Sequence, residues 1–241
     1  LGEATKLLQQ ILDTLHPWIA EGVPMVVLEP SCLATFRDEL TNLFPANEDA
    51  MRLSHQTFLL SEFLQKQAAD FDLPKLHGKA LVHGHCHHKS IIGMGDEEAV
   101  LKRLGLEYEM PDTGCCGMAG AFGFEAQHYD ISIAAGERVL LPAVREAPHD
   151  EYIIADGFSC REQIAQTTDR RALHLAEVLR VAIDRRDPIV HTDGRTPEQA
   201  LGLAAEPQRG GRRRLALAAS VAALGASAGA AAWWRMRRTR E

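Results

Sequence analysis

Two adjacent cysteines, Cys115 and Cys116, sit in DTGCCGMAGAFGFE (residues 112–125), and only five cysteines occur in the 241 residues. The others are Cys32 in LEPSC, Cys86 in HGHCHHK and Cys160 in ADGFSC. Thiolates bind soft metals and iron-sulfur clusters, and they stay deprotonated only in positive surroundings. A CysCysGly step at the mouth of a helix supplies such surroundings, because free backbone N–H groups and the helix dipole both favour anionic sulfur. Gly114, Gly117, Gly120 and Gly123 let the backbone approach a bulky cofactor, or simply make a tight strand-to-helix turn. Adjacent cysteines fit poorly on the corners of a single zinc ion but can reach different irons of one cluster. A vicinal disulfide would close a strained ring.

Cys86, Cys115, Cys116 and Cys160 fall in three separate loops, so one cluster holding all four requires a fold that gathers those loops. The short Cys-x-x-Cys spacing of ferredoxins is absent, which implies an unusual cluster geometry. Around Cys86 stand His83, His85, His87 and His88. Zinc would accept a histidine ligand, but strand-end histidines more often tune a metal through hydrogen bonds, the role favoured for His85 and His87. Lys89 and Arg161 either offset the negative charge of a centre or are solvated surface residues. Asp156 and Glu29, each at a strand end before a Ser-Cys pair, read as caps of the following turn. No Ser-His-Asp arrangement, phosphate loop or dinucleotide fingerprint is visible.

The elements that must position these residues alternate. Residues 3–20 carry apolar positions at helical spacing (Leu7, Leu8, Ile11, Leu12, Leu15), and VPMVVLEPSC follows as a buried strand running into a loop. LATFRDEL and the stretch from Phe58 to Ala69 predict two more helices. KALVHGHCHH predicts a strand, Glu97 to Leu104 a helix and LEYEM a strand. The CysCys loop then opens a long helix from near Phe124 that breaks near Pro142. EYIIADGFSC is the next strand and loop, REQIAQ a short helix and LHLAEVLRVAI the last helix of the body. This order predicts an α/β fold with a parallel sheet and helices on both faces. Ligands of such sheets gather beyond the carboxyl ends of the strands, where Cys86, Cys115, Cys116 and Cys160 would all lie.

VVLEPSC and IIADGFSC are echoes of each other, each an apolar strand, an acid and a Ser-Cys pair. They suggest two related repeats with only the tail of the first retained, leaving Cys32 as the end of that earlier repeat. The expected organisation is therefore 1–50 as the C-terminal part of a first cysteine-rich repeat and 51–78 as a helical connector. Residues 79–182 form a second repeat, and 183–214, rich in Asp, Pro, Gly, Gln and Arg, a linker. Beyond it, 215–234 run for 20 residues without a charge, ten of them Ala. That length suits a bilayer-crossing helix, Trp233 and Trp234 suit an interface, and Gly225 with Gly229 suit helix packing. A soluble Ala-rich helix or a disordered tail fits the same composition.

The formal net charge of −7 divides unevenly, since residues 209–241 hold eight Arg and one Glu, leaving −14 on the remainder. An acidic body argues against a nucleic-acid partner and leaves a membrane, through 215–234, as the candidate partner of the basic end. The 46% hydrophobic content supports a proper core. Five unevenly spaced cysteines do not make a secreted disulfide framework; they fit metal or redox chemistry in a reducing, cytoplasmic setting. A start at Leu1 suggests a fragment or processed chain.

HGHCHHK, DTGCCGMAGAFGFE and ADGFSCREQI, with LEPSCLATFRDEL upstream, resemble the cysteine-rich CCG domain at the C-terminus of FAD-linked oxidases that also carry iron-sulfur clusters. Related domains occur in heterodisulfide reductases and in the iron-sulfur subunits of glycolate, lactate and glycerol-3-phosphate dehydrogenases. The resemblance covers about residues 22–180. It implies a module that carries electrons from an FAD, held in an upstream flavin domain or subunit, to an acceptor such as a quinone. The oxidised substrate would be a 2-hydroxy acid: lactate, glycolate or 2-hydroxyglutarate. It also implies Cys86, Cys115, Cys116 and Cys160 as ligands of a 4Fe-4S cluster, with Cys32, a further candidate metal ligand, matching the end of the preceding repeat and Gly114, Gly117, Gly120, His85 and His87 around the cofactor. Gly157 stands where the family has a further cysteine, so a simpler four-cysteine cluster replaces the double cubane. A zinc-stabilised binding or assembly module and thiol-disulfide catalysis are the competing functions.

Overall fold

All strand pairing in the described chain, residues 1–184 and 195–203 of the computed structural model, is parallel. Strand β1 (Met25–Val27) pairs with β2 (Thr57–Leu59), and a second sheet has the order β4 (Leu106–Glu109), β3 (Gly78–Val82), β5 (Tyr152–Ile154). An isolated parallel bridge between Ile154 and Leu173 extends the outer edge of β5. The apolar stretch 215–234 and most of the expected linker lie outside the described residues. Among the described residues no helix is long and apolar enough to cross a membrane.

Alternation along the central strands explains why helices cover both faces of the larger sheet. Ala80 and Val82 of β3, with Tyr152 and Ile154 of β5, join a core with Val100, Leu101 and Leu104 of α6 (Gly95–Leu104) and Leu175, Val178 and Ala182 of α10 (Leu175–Asp184). The intervening residues Leu81 and Ile153 point the other way, into a core with Leu140, Leu141 and Val144 of α8 (Leu140–Glu146) and Ile164 of α9 (Phe158–Thr167). Strands buried on both sides read as short, continuous apolar runs. Cys116 and Cys160 belong to this second core.

The N-terminal portion has its own core. Leu8, Leu12 and Ile19 of α1 (Gly2–Glu21) pack with Leu40 of α3 (Leu40–Leu43) and with Ala50 and Leu53 of α4 (Glu48–Gln56). Gly22, at φ +76°, terminates α1 in the left-handed conformation that favours glycine. Between these lie β1, α2 (Pro30–Ala34) and a π-helical turn over Thr35–Glu39.

Several elements differ from the sequence expectation. Phe58 opens no helix. Thr57–Leu59 is β2, paired along its length with β1, and α5 (Leu60–Lys66) starts only after it. The stretch 51–78, read as a helical connector, thus contributes a strand. The preceding α4 carries ordinary start signals, with Asn47 Oδ1 accepting from Ala50 N at 3.0 Å and Glu48 and Asp49 in its first turn. The expected long helix from Phe124 is instead a 3-10 turn (Phe122–Phe124), then α7 (Tyr129–Gly136) and α8. Its break falls before Pro142, which occupies the first turn of α8, where a missing N–H leaves no bond unmade. Residues 195–203, within the linker-like composition, form α11 (Pro197–Ala200), and Glu198 is buried against Arg170.

Candidate metal centre

The carboxyl ends of β4, β3 and β5 lie side by side, so the loops leaving them share one edge of the sheet. Cys86 begins a helical turn four residues past β3, Cys115 and Cys116 lie in the loop after β4, and Cys160 is in the first turn of α9 after β5. All five cysteines are free thiols; Cys32, Cys86 and Cys115 are exposed, Cys116 and Cys160 buried.

Four of the sulfurs interact. Cys116 and Cys160 lie close enough to shift each other's thiol, Cys115 also acts on Cys116, and the charges of Cys115 and Cys116 bear on Cys86. The interaction with Cys160 is the main reason the Cys116 thiol is more acidic than usual, aided by the backbone N–H groups of Met118 and Ala119 and opposed by burial. Cys160 moves in the opposite direction. Its interaction with Cys116 and its burial hold the thiol well above the usual range, with the charges of Cys116, Cys86 and Glu29 adding to the effect. Burial also raises Cys86. The patch thus sets one thiol of lowered pKa, Cys116, beside two raised ones, Cys86 and Cys160.

No α-helix begins at the CysCys pair, contrary to the expected helix mouth. The first eight-residue helix after it, α7, begins 13 positions after Cys116. The backbone's lesser share in the acidity of Cys116 comes from a curled loop in which Gly114, Gly117, Ala119 and Gly120 all have positive φ. Such a run turns successive N–H groups toward one anion. Gly117 N lies 3.3 Å from Cys115 Sγ. The three glycines assigned to cofactor approach divide: a Cβ at Gly114 or Gly120 would meet nothing within 4 Å, whereas one at Gly117 would lie 2.0 Å from the Ser132 carbonyl oxygen. Gly117 therefore serves packing against α7.

The histidines are divided by partner. His83 is buried and 2.5 Å from Thr113 Oγ1, tying the end of β3 to the CysCys loop. His85 is buried; its Nδ1 accepts from His87 N at 3.2 Å, and both ring nitrogens lie 4.0 Å from Cys86 Sγ. His87 stands edge-on to it, with ring centroids 5.3 Å apart. A Cβ on Gly157 would come within 2.4 Å of His85 Cδ2 and 3.1 Å of Cys160 Sγ. The His85 ring thus fills the space that a larger residue at 157 would need. Lys89 Nζ donates to Gly114 O at 3.3 Å, and Arg161 donates to the carbonyls of Ala155 and Asp156, so both cations bind the backbone of cysteine loops.

Cys32 lies in α2, which packs against the π-helical turn His88–Ile92 that follows Cys86. Its thiol is raised by burial and by the charge of Glu29. Glu29 caps α2 as expected, accepting from Ser31 N at 3.4 Å and Ser31 Oγ at 2.8 Å. Its second oxygen accepts from Phe158 N at 2.6 Å, linking the β1 end to the helix of Cys160. Asp156 does not cap the turn that follows it; Oδ1 accepts from Leu175 N at 2.8 Å, the start of α10. Sequence reasoning missed this bond because 19 residues separate the partners.

D-2-hydroxyglutarate dehydrogenase of Pseudomonas putida is 31% identical over 160 residues, which is 66% of this chain and 15% of the relative. An anaerobic glycerol-3-phosphate dehydrogenase of Escherichia coli contains a subunit that is 27% identical over 68% of this chain and 41% of its own length. Lactate utilization protein A of Bacillus velezensis is 31% identical over 62% of this chain and 66% of its own length. The chain spans only 15–17% of the first such relatives. No family model and no solved structure matches.

Proposed function

We propose that this chain, which belongs with the cysteine-rich CCG domains of FAD-linked and iron-sulfur oxidoreductases, is the electron-carrying part of a dehydrogenase of 2-hydroxy acids. What supports this reading is that the loops of Cys86, Cys115, Cys116 and Cys160 leave adjacent parallel strands at one edge of the sheet, with the thiols near enough to shift one another. An all-sulfur donor set is what iron-sulfur clusters take. Open space beside Gly114 and Gly120 fits a bulky inorganic group over the curled loop.

In this reading the four cysteines hold a 4Fe-4S cluster, which when bound supplies one-electron transfer. The chain's own contribution is local. The N–H groups of Met118 and Ala119 stabilise sulfur as an anion, and His83 fixes the loop through Thr113. Glu29 holds the first turn of the Cys160 helix. The 2-hydroxy acid, most simply 2-hydroxyglutarate or lactate as in the relatives' names, would be oxidised at an FAD in a separate domain or subunit, with a quinone or similar acceptor downstream.

Anaerobic purification tests this. The protein is expected to be brown, to bleach with dithionite and to hold about four irons per chain. Colourless protein carrying stoichiometric zinc on the cysteines after iron reconstitution refutes it in favour of a structural zinc module.

A further inference from the structure

Away from the cysteine patch, three buried side chains from three segments face one another. His88 lies in the π-helical turn after Cys86, Glu97 in the first turn of α6 and Asp156 in the loop between β5 and α9. Their relative exposures are 2%, 2% and 6%. One nitrogen or oxygen of each lies within 4.8 Å of the other two. His88 Nε2 and Glu97 Oε2 are fully buried without any hydrogen-bond partner. Ser61 is the polar neighbour of Glu97, and Asp156 is engaged through Oδ1 by Leu175 N and, at 3.6 Å, by His174 Nε2.

Charge marks this arrangement out. Two buried carboxyl groups lie close together, and among the described residues Glu97 has no ion-pair partner. The nearby acids Glu62 and Asp96, which also act on His88, are both taken by Lys66 at 3.0 and 2.9 Å. Arg161 is spent on backbone carbonyls. Burial and the charge of Asp156 push the Glu97 carboxyl far above its usual range. A cation would neutralise both acids and occupy both unpartnered atoms at once.

We propose that His88, Glu97 and Asp156 bind a divalent cation of the zinc type. Three atoms no more than 4.8 Å apart leave a point within about 2.8 Å of all of them, so side-chain shifts of at most about 0.6–0.8 Å reach bonding distances of about 2.0–2.2 Å. An imidazole with two carboxylates suits zinc and its neighbours better than magnesium or calcium. The ion would join the segment that follows Cys86, the start of α6 and the segment that precedes Cys160. It would thereby clamp two of the loops that carry the cysteines.

The probes are Zn2+ and Co2+, added to protein stripped of metal and to protein with its cysteine centre loaded. The expected result is one extra equivalent of zinc per chain. Cobalt at this site should give weak visible bands without the intense sulfur-to-cobalt charge transfer of cysteine ligation. Glu97→Gln, which keeps shape, should lower zinc affinity more than about 100-fold, beyond the 10–100-fold that outer partners of a ligand cost. Zinc at 100-fold excess over its Kd should raise the Tm of the original protein by about 5 °C or more and leave Glu97→Gln unmoved. If Glu97→Gln does not fold, His88→Gln provides the same comparison. Zinc uptake unchanged in these variants, or lost with Cys86→Ser and Cys160→Ser instead, overturns the proposal. So does protein that ignores zinc while Glu97→Gln raises its Tm, the mark of a protonated carboxyl network.

Discussion

Replacing Gly117 by alanine separates the packing role of the CysCys loop from cofactor approach. Gly117 has φ +97°, a conformation that costs an L-residue about 1–2 kcal/mol. The added Cβ would lie 2.0 Å from the backbone oxygen of Ser132, 2.9 Å from its carbonyl carbon and 3.1 Å from Ala135 Cβ. These belong to α7 and cannot swing aside as a side chain could. The same carbonyl accepts from Gln163 Nε2 of α9 at 3.1 Å, so moving α7 also disturbs the helix of Cys160. Overpacking of this kind typically costs about 1–3 kcal/mol, so Gly117→Ala should lose about 2–5 kcal/mol in all. Gly114→Ala is the control. Its φ is +64° and its Cβ would meet nothing, which leaves a cost of about 1 kcal/mol. Urea unfolding of the reduced, metal-free proteins measures both. Equal stability of the two variants, within about 0.5 kcal/mol, refutes the packing account of Gly117.

The buried pair Arg170–Glu198, 2.7 Å apart with both side chains at most 3% exposed, makes Glu198→Ala costly; a loss of about 3–5 kcal/mol in chemical unfolding is expected, because Arg170 would keep a buried charge. Stability should also fall with acid. Burial lowers His83 to about 3, whereas the unfolded side chain takes up its proton near 6.5. Below about 6.5 the unfolded state binds the extra proton, so each pH unit down to about 3 removes about 1.4 kcal/mol, and nothing is lost above 6.5. Glu62, lowered by its Leu59 N–H, Lys66 and Arg37 bonds against burial, acts in the same direction in the carboxylate range. Unfolding midpoints from pH 7 to 4 read this slope, and His83→Gln should flatten it. Iron analysis should further separate the cysteines: Cys160→Ser loses most of the iron, while Cys32→Ser, in α2 and outside the loops that follow β3, β4 and β5, keeps it.

The alternation of strands and helices was legible because β3 and β5 are buried on both faces and read as apolar runs bounded by loops. Given that alternation, the loops of Cys86, Cys115, Cys116 and Cys160 had to emerge at one edge. Strand β2 was hidden for a physical reason. Thr57–Leu59 is three residues long and flows directly into α5, so Phe58 reads as a helical position when only the apolar spacing is counted. The glycine-rich loop misled differently, since glycines that precede a helical pattern look like a helix mouth whether they curl or lead straight in. The cluster of His88, Glu97 and Asp156 left no mark, because 59 positions separate Glu97 from Asp156 and each is locally ordinary. Glu97 reads as an acid in the first turn of α6, where the dipole welcomes it, and nothing local reveals that it is buried.

The geometry around Gly157 bears on how many sulfurs the patch can offer. Related repeats carry a further cysteine at this place, and its absence looks at first like a simple loss. Here the space is filled: a side chain on residue 157 would run into His85 Cδ2 at 2.4 Å and crowd Cys160 Sγ at 3.1 Å. His85 is held in that position by its bond from His87 N. Any side chain at 157 would therefore require the His85 ring to move, so the present seating of His85 depends on glycine here. The result sets beside Cys160 an imidazole whose hold on a proton is weakened by burial, where a cysteine would add a sulfur. Glu29 already places one negative charge against the first turn of α9. A fifth thiolate next to it would add a second to a buried edge with few cations, so a four-sulfur patch is the arrangement that the surrounding charges support.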